Sequence, residues 1–112
     1  MSLKEYLFGF KSEDKAVKYL KNNDFEIIKR NFRSKFGEID IIAKKSEILH
    51  FIEVKATSGE YEAVYRLTKT KFDKILKTIN YFFMKNGFES DYEIDIICVE
   101  KDKIQHIKNI SL

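Results

Sequence analysis

Asp40 and Glu53 occupy matching places in two apolar runs, Glu38-Ile39-Asp40-Ile41-Ile42-Ala43 and Ile48 to Lys55, separated by the polar Lys44-Lys45-Ser46-Glu47. If the runs are strands of one hairpin turning at Ser46-Glu47 (or at a four-residue loop in the same register), Asp40 faces Glu53 and Glu38 faces Lys55. Two carboxylates that close repel unless a proton, a lysine or a cation offsets them. Mg²⁺ or Mn²⁺ would answer both, because such ions take hard oxygen ligands and keep some of their waters. A water made more acidic in that way can attack a phosphodiester. Lys55 lies two residues beyond Glu53 on the same strand face, where it could orient that water or stabilise charge on the phosphate. The same charges also suit the wet face of an ordinary hairpin, held by weak cross-strand pairs.

Glu13 bears on the choice. It lies three and four residues before Ala16 and Val17, on the apolar stripe that continues to Leu20 in a helix expected over about Leu3–Asn22. A carboxylate there is costly unless something answers it. It either snorkels to water near the helix start, where an acid suits the dipole, or reaches the hairpin acids as an auxiliary acid.

The elements that must position these groups follow from the spacing of apolar residues. Asn22-Asn23-Asp24 stops the first helix, and Phe25 to Arg33 reads as a strand. In the hairpin Ile42 would face Phe51, while Ile39, Ile41 and Ala43 meet Val54, Ile52 and His50 on the opposite, core-facing side. Thr57 to Glu62 reads as a loop. A second helix is expected over roughly Arg66–Asn86, with Phe72, Ile75, Leu76, Ile79, Phe82 and Phe83 at helical spacing and Gly87 as its stop. Tyr92–Val99 and Ile104–Ile110 read as further strands, the last at a sheet edge. The order α-β-β-β-α-β-β implies an α/β fold, a mixed sheet flanked by helices, in a single domain spanning residues 1–112.

Composition narrows the setting. No stretch approaches the roughly eighteen apolar residues of a membrane helix, and Met1-Ser2-Leu3-Lys4-Glu5 lacks the apolar core of a secretory signal. Cys98 is the only cysteine, in an apolar run that looks buried, so a reducing cytoplasm is expected. The net charge of +3 does not by itself announce a nucleic-acid binder. Its distribution says more, since Lys69, Lys71, Lys74 and Lys77 gather on the second helix while the acids gather in the hairpin. His50 and His106, set among apolar neighbours in different strands, read as structural histidines.

The run Gly37-Glu38-Ile39-Asp40-Ile41-Ile42-Ala43, followed by Phe51-Ile52-Glu53-Val54-Lys55, resembles the signature of the YraN family of small bacterial proteins. Ser12-Glu13 with Ala16, Arg30-Asn31-Phe32-Arg33, Glu62-Ala63-Val64, Tyr92 to Ile96 and Ile104-Gln105-His106-Ile107 extend the resemblance over nearly the whole chain. It implies the restriction-endonuclease-like fold and the PD-(D/E)xK superfamily, which includes the Holliday-junction resolvases. By that pattern Asp40 is the Asp, Glu53 the (D/E) and Lys55 the lysine, and Glu13 matches the helix-borne acid of many members. Glu38 matches a family residue to which no role is assigned. Ile39 stands where the superfamily has proline, and Ala56-Thr57 where the family often has an arginine that could contact phosphate.

Two functions are therefore expected to compete. The first is a Mg²⁺- or Mn²⁺-dependent endonuclease in which Asp40, Glu53 and the Val54 carbonyl hold the metal. Lys55 assists the water, Glu13 is auxiliary, and Arg30, Arg33, Lys69, Lys71 and Lys74 hold the backbone of nucleic acid. DNA is preferred over RNA, and structured or branched DNA over linear, by analogy with the resolvases; that analogy would also favour a homodimer. The second is a non-catalytic nucleic-acid-binding module with the same fold, accessory to a DNA-processing partner.

Overall fold

A computed structural model describes the backbone of residues 3–56 and 67–110, with side chains from Lys11 onward. Helix α1 (Leu3–Asn22) is followed by strands β1 (Glu26–Arg33), β2 (Glu38–Lys45) and β3 (Ile48–Ala56), helix α2 (Lys69–Asn86), and strands β4 (Tyr92–Glu100) and β5 (Lys103–Ile107). The strands form one sheet in the order β1-β2-β3-β4-β5. All neighbours are antiparallel except β3 and β4, which run parallel and are joined by the crossover that contains α2. This is the expected α/β architecture, a restriction-endonuclease-like mixed sheet flanked by helices in the order α-β-β-β-α-β-β. Among the described residues no helix is long and apolar enough to cross a membrane.

Each helix brings its own core. Ala16, Val17 and Leu20 of α1 pack with Phe25, Ile41, Ala43, Ile52, Ile97 and Val99 on one sheet face. Phe72, Ile75, Ile79, Phe82 and Phe83 of α2 pack with Ile42, Phe51, Ile94, Ile96 and the buried Cys98 on the other. α1 ends as its sequence requires: Asp24 takes a left-handed φ of 68°, the Phe25 N–H bonds the Leu20 carbonyl at 3.0 Å, and that of Asp24 bonds Lys21 at 3.3 Å. The 6→1 and 5→2 pair turns Phe25 back under its own helix. α2 starts at Lys69 behind the N-cap Thr68 and stops at Gly87, whose φ is 70°. The expected loop from Thr57 to Glu62, and the expected helix start at Arg66, lie outside the described residues.

Two differences from the periodicity have physical causes. β5 ends at Ile107 rather than Ile110, because Asn109 turns to a φ of 55° and its N–H bonds the Asp95 carboxylate. Ile39 also leaves the face expected for it: it packs under α2 beside Phe32, whereas Ile41 and Ala43 pack under α1. The change of face falls at Asp40, across from Asn31, which has a left-handed φ of 53° between the pairs Arg30↔Ile41 and Phe32↔Ile39.

Candidate active site

The β2–β3 hairpin has the register read from its sequence. Ser46 and Glu47, both at positive φ, form a two-residue turn, and Ile41↔Ile52, Ile42↔Phe51 and Ala43↔His50 are partners. The ladder then stops at Ile41↔Ile52, one step short of Asp40 and Glu53. Beyond it β2 continues along β1, and β3 along β4. The strands thus part where the charges begin. Asp40 fills the split, its Oδ2 accepting the Val54 N–H at 2.8 Å. In an extended strand a residue's N–H and C=O point to the same edge, so the Val54 carbonyl also opens to the split.

Around this point the chain gathers several acids. Burial, then Asp40, pushes the Glu53 carboxyl up to about 8 against the opposing pull of Lys55, whose Nζ is 3.7 Å from Glu53 Oε2. Burial likewise raises Asp40, offset only in part by the Val54 N–H. Glu13 arrives on α1, held over the sheet by Ala16, Val17 and Leu20. Burial and Asp40 raise it too, while Arg30 pulls the other way. Oriented to satisfy its amide, Asn31 donates to Glu13 Oε1 and Glu38 Oε1, both at 3.1 Å, and so links the helix acid to the strand acid. Asp40, Glu53, Glu13 and Glu38 are close enough to act on one another's charge, an acid group suited to a hard divalent cation.

On the α2 side Glu38, Glu53, Lys55, Lys71 and Lys74 line a cleft of about 230 Å³. Ser34 fixes its rim, bonding Thr78 of α2 at 2.9 Å, while the Thr78 hydroxyl donates back to the Lys74 carbonyl at 2.9 Å. Asp40, Glu53, Lys55, Glu13 and the Val54 backbone are thus brought together, with Lys71 and Lys74 on the cleft wall. Lys69 stands exposed at the first residue of α2. Arg30 turns instead to Asp14, with Nη2 to Oδ1 at 2.8 Å, and Arg33 lies at the outer rim, 3.5 Å from Glu38. Asn31 was not legible as a site residue from its type. Its signal was an asparagine, a tolerant left-handed residue, inside an otherwise extended run.

A second cluster lies on the opposite sheet face, under the end of α1. Asp95 Oδ2 is 2.7 Å from both His50 Nδ1 and His106 Nε2, and Asp95 Oδ1 accepts the Asn109 N–H at 3.0 Å. Burial alone would raise the Asp95 carboxyl, but the bonds from His106, Asn109 and His50 outweigh it and hold the group below its usual range. The sequence sets the two histidines in separate strands; the sheet brings both onto one aspartate.

Comparison with known proteins places relatives over the full length. Residues 12–99 match the model of the uncharacterised protein family UPF0102. UPF0102 proteins of Campylobacter hominis and Campylobacter lari are 62% and 60% identical over 112 and 111 residues, covering 100% and 99% of both chains. One from Campylobacter fetus is 59% identical over 111 residues, 99% of both chains.

Proposed function

The chain belongs to the UPF0102 family, and from that premise and the site's own chemistry we propose a metal-dependent endonuclease of the PD-(D/E)xK type that hydrolyses phosphodiester bonds in structured or branched DNA. The observation that carries this reading is the splayed hairpin end, where Asp40 and Glu53 meet with Lys55 beside them. Glu53 is pushed up to about 8 there, so a neutral-pH protein gains by supplying a cation. Asp40, Glu53 and the Val54 carbonyl would hold Mg²⁺ or Mn²⁺, all hard oxygen donors. When bound, the ion would polarise the scissile phosphate and make an attacking water more acidic.

The remaining work falls to the chain. Asp40 is held in place by the Val54 N–H, so its free oxygen is aimed without freedom to rotate away. Lys55 offers a cation at the cleft floor, suited to a non-bridging phosphate oxygen or to the water's lone pair. Lys71 and Lys74 on the cleft wall suit the phosphates on either side of the scissile bond. Glu13, linked through Asn31 to Glu38, adds negative charge behind the metal ligands and strengthens their hold on a cation. Contacts of this kind read phosphate rather than base, which supports selection by backbone shape instead of by sequence. The buried Cys98, alone of its kind in the chain, suits a reducing cytoplasm.

The test is cleavage of linear, single-stranded and branched DNAs and RNAs with Mg²⁺ or Mn²⁺, comparing the wild type with Asp40→Asn and Lys55→Ala. Metal-dependent cutting lost in both variants, and fastest on branched DNA, is the expected result. Salt-sensitive binding without cutting, unchanged in both variants, would instead identify an accessory binding module.

A further inference from the structure

We propose that His50, Asp95 and His106, joined by Glu93 once it swings inward from beside His50, form a tetrahedral site for a divalent transition metal, Zn²⁺ by its ligand chemistry, on the sheet face opposite the acidic cleft. The inference is independent of the nuclease reading. One donor atom from each of His50, Asp95 and His106 lies within 4.8 Å of the others. The topology makes this so: His50 of β3 is in register with Glu93 of β4, Asp95 lies two residues on, and His106 of β5 pairs with Ile97. All four side chains therefore project from neighbouring strands toward α1.

Two imidazoles and two carboxylates are a borderline set that suits Zn²⁺ better than Mg²⁺. The side chains of His50, His106 and Asp95 are 7%, 3% and 0% exposed, the closure typical of a structural rather than a catalytic zinc. Glu93 Oε2 supplies a further observation. It is buried, accepts no hydrogen bond among the described residues, and points to within 3.4 Å of His50 Nδ1. A buried carboxylate oxygen left in that state is costly, and a cation at the centre of the cluster would answer it. That separation matches the ligand–ligand edge of a zinc tetrahedron, ~3.3 Å for bonds of about 2.0–2.1 Å. The two 2.7 Å contacts of Asp95 must lengthen by roughly half an ångström to admit the ion.

The surroundings already provide what such ligands need. His106 Nδ1 is 3.1 Å from the Tyr19 hydroxyl, and Asp95 Oδ1 is fixed by the Asn109 N–H. Both are the outer hydrogen bonds that orient metal ligands. Phe25 packs against both imidazoles, with ring centroids 5.0 and 5.8 Å away, and helps exclude water. Two carboxylates and Zn²⁺ leave no net charge. Binding needs lone pairs at His50 Nδ1 and His106 Nε2, so each ring exchanges its hydrogen bond to Asp95 for an N–H on the other nitrogen.

That exchange gives a readout a merely hydrogen-bonded cluster lacks. The full chain carrying Asp40→Asn and Glu53→Gln, which removes the oxygen site from the measurement, is titrated with Zn²⁺ and with Co²⁺. Long-range ¹⁵N–¹H NMR follows the ring nitrogens of both histidines. The expected result is one equivalent bound, a switch of both tautomers, and the intense visible bands of tetrahedral Co²⁺. His50→Phe, which keeps the Asp95–His106 pair, should weaken binding at least about a hundredfold. Unchanged ring-nitrogen shifts at saturating Zn²⁺, or equal binding by His50→Phe, would overturn the proposal and leave the cluster a hydrogen-bonded staple.

Discussion

Two carboxylate clusters sit on one sheet, and they are opposites. At the splayed end of β2 and β3, Asp40 and Glu53 face each other's charge, with one N–H and one lysine as their nearest answers. Under α1, Asp95 is more deeply buried yet receives three short bonds, two from imidazoles and one from the backbone. Burial is thus not what separates a strained acid from a settled one. The number of donors that the fold aims at it decides, and the first cluster raises its acids while the second lowers Asp95. The first cluster gains most from a hard cation that carries water; the second already holds its aspartate in place with nitrogen donors.

The largest effect expected from this contrast is on turnover. Asp40→Asn or Glu53→Gln should lower Mg²⁺-dependent cleavage by at least about a hundredfold, measured on the preferred DNA at saturating metal. Cleavage that persists in both would detach the activity from the splayed hairpin altogether.

Next in size are two carboxylate-to-amide replacements with opposite signs on stability, read as urea midpoints in chelator. Asp95→Asn removes a buried charge that three donors depend on, and should cost about 2–4 kcal/mol. Glu53→Gln replaces a carboxyl that must take up a proton on folding at pH 7.5, because burial and Asp40 oppose its charge, and should stabilise the metal-free protein by about 1–3 kcal/mol. Equal signs would show that the two clusters do not differ in the way their hydrogen bonds indicate.

The pH profile sharpens the same contrast. Glu53 has a folded value of about 8 against 4.5 in the unfolded chain, so the folded state holds its proton more tightly. Its contribution is fully present below about pH 4.5 and is lost as pH rises to about 8. Asp95 is lowered, so its contribution is present above the ordinary aspartate value of 3.8 and is lost as the pH falls below it. In chelator, Glu53→Gln should flatten the alkaline arm of the stability curve and Asp95→Asn the acid arm. Saturating Mg²⁺ should flatten only the alkaline one.

How much of this was legible beforehand follows from the range of the forces involved. Period-2 and period-3.6 patterns, and the Ser46-Glu47 turn, are local, so the hairpin register and both helices could be read, and with them Asp40, Glu53 and Lys55. The apolar stripe of α1 also exposed Glu13 as an acid out of place. Ile39 was misplaced because β2 changes faces at Asp40, across from the left-handed Asn31, and neither feature is written in a hydrophobic pattern. Arg30 was assigned to nucleic acid from its charge and nearness to the hairpin; its ion pair with Asp14 of α1, a tertiary contact between elements, could not be read from the pattern. The His50–Asp95–His106 cluster draws one residue from each of three strands. The parallel β3–β4 register, set across a long crossover, and the antiparallel β4–β5 pairing together bring them to one place.

The smallest effect expected is at Glu13, and it tests whether the first cluster is a unit or a pair of ligands with bystanders. Glu13 reaches the site only through α1. Its carboxylate accepts the Asn31 amide that also bonds Glu38, and its charge is felt at Asp40. If the four acids act together on a cation, Glu13→Gln should weaken Mg²⁺ affinity about fivefold, the equivalent of ~1 kcal/mol for one partly screened carboxylate. The loss should shrink as salt is raised, because the interaction runs through space rather than through a bond to the ion. Asn31→Gly keeps the left-handed backbone and removes only the bridging amide, and should reproduce part of that loss. A Glu13→Gln protein whose Mg²⁺ titration by calorimetry matches the wild type at low salt would confine the site to Asp40 and Glu53, and leave α1 as a scaffold.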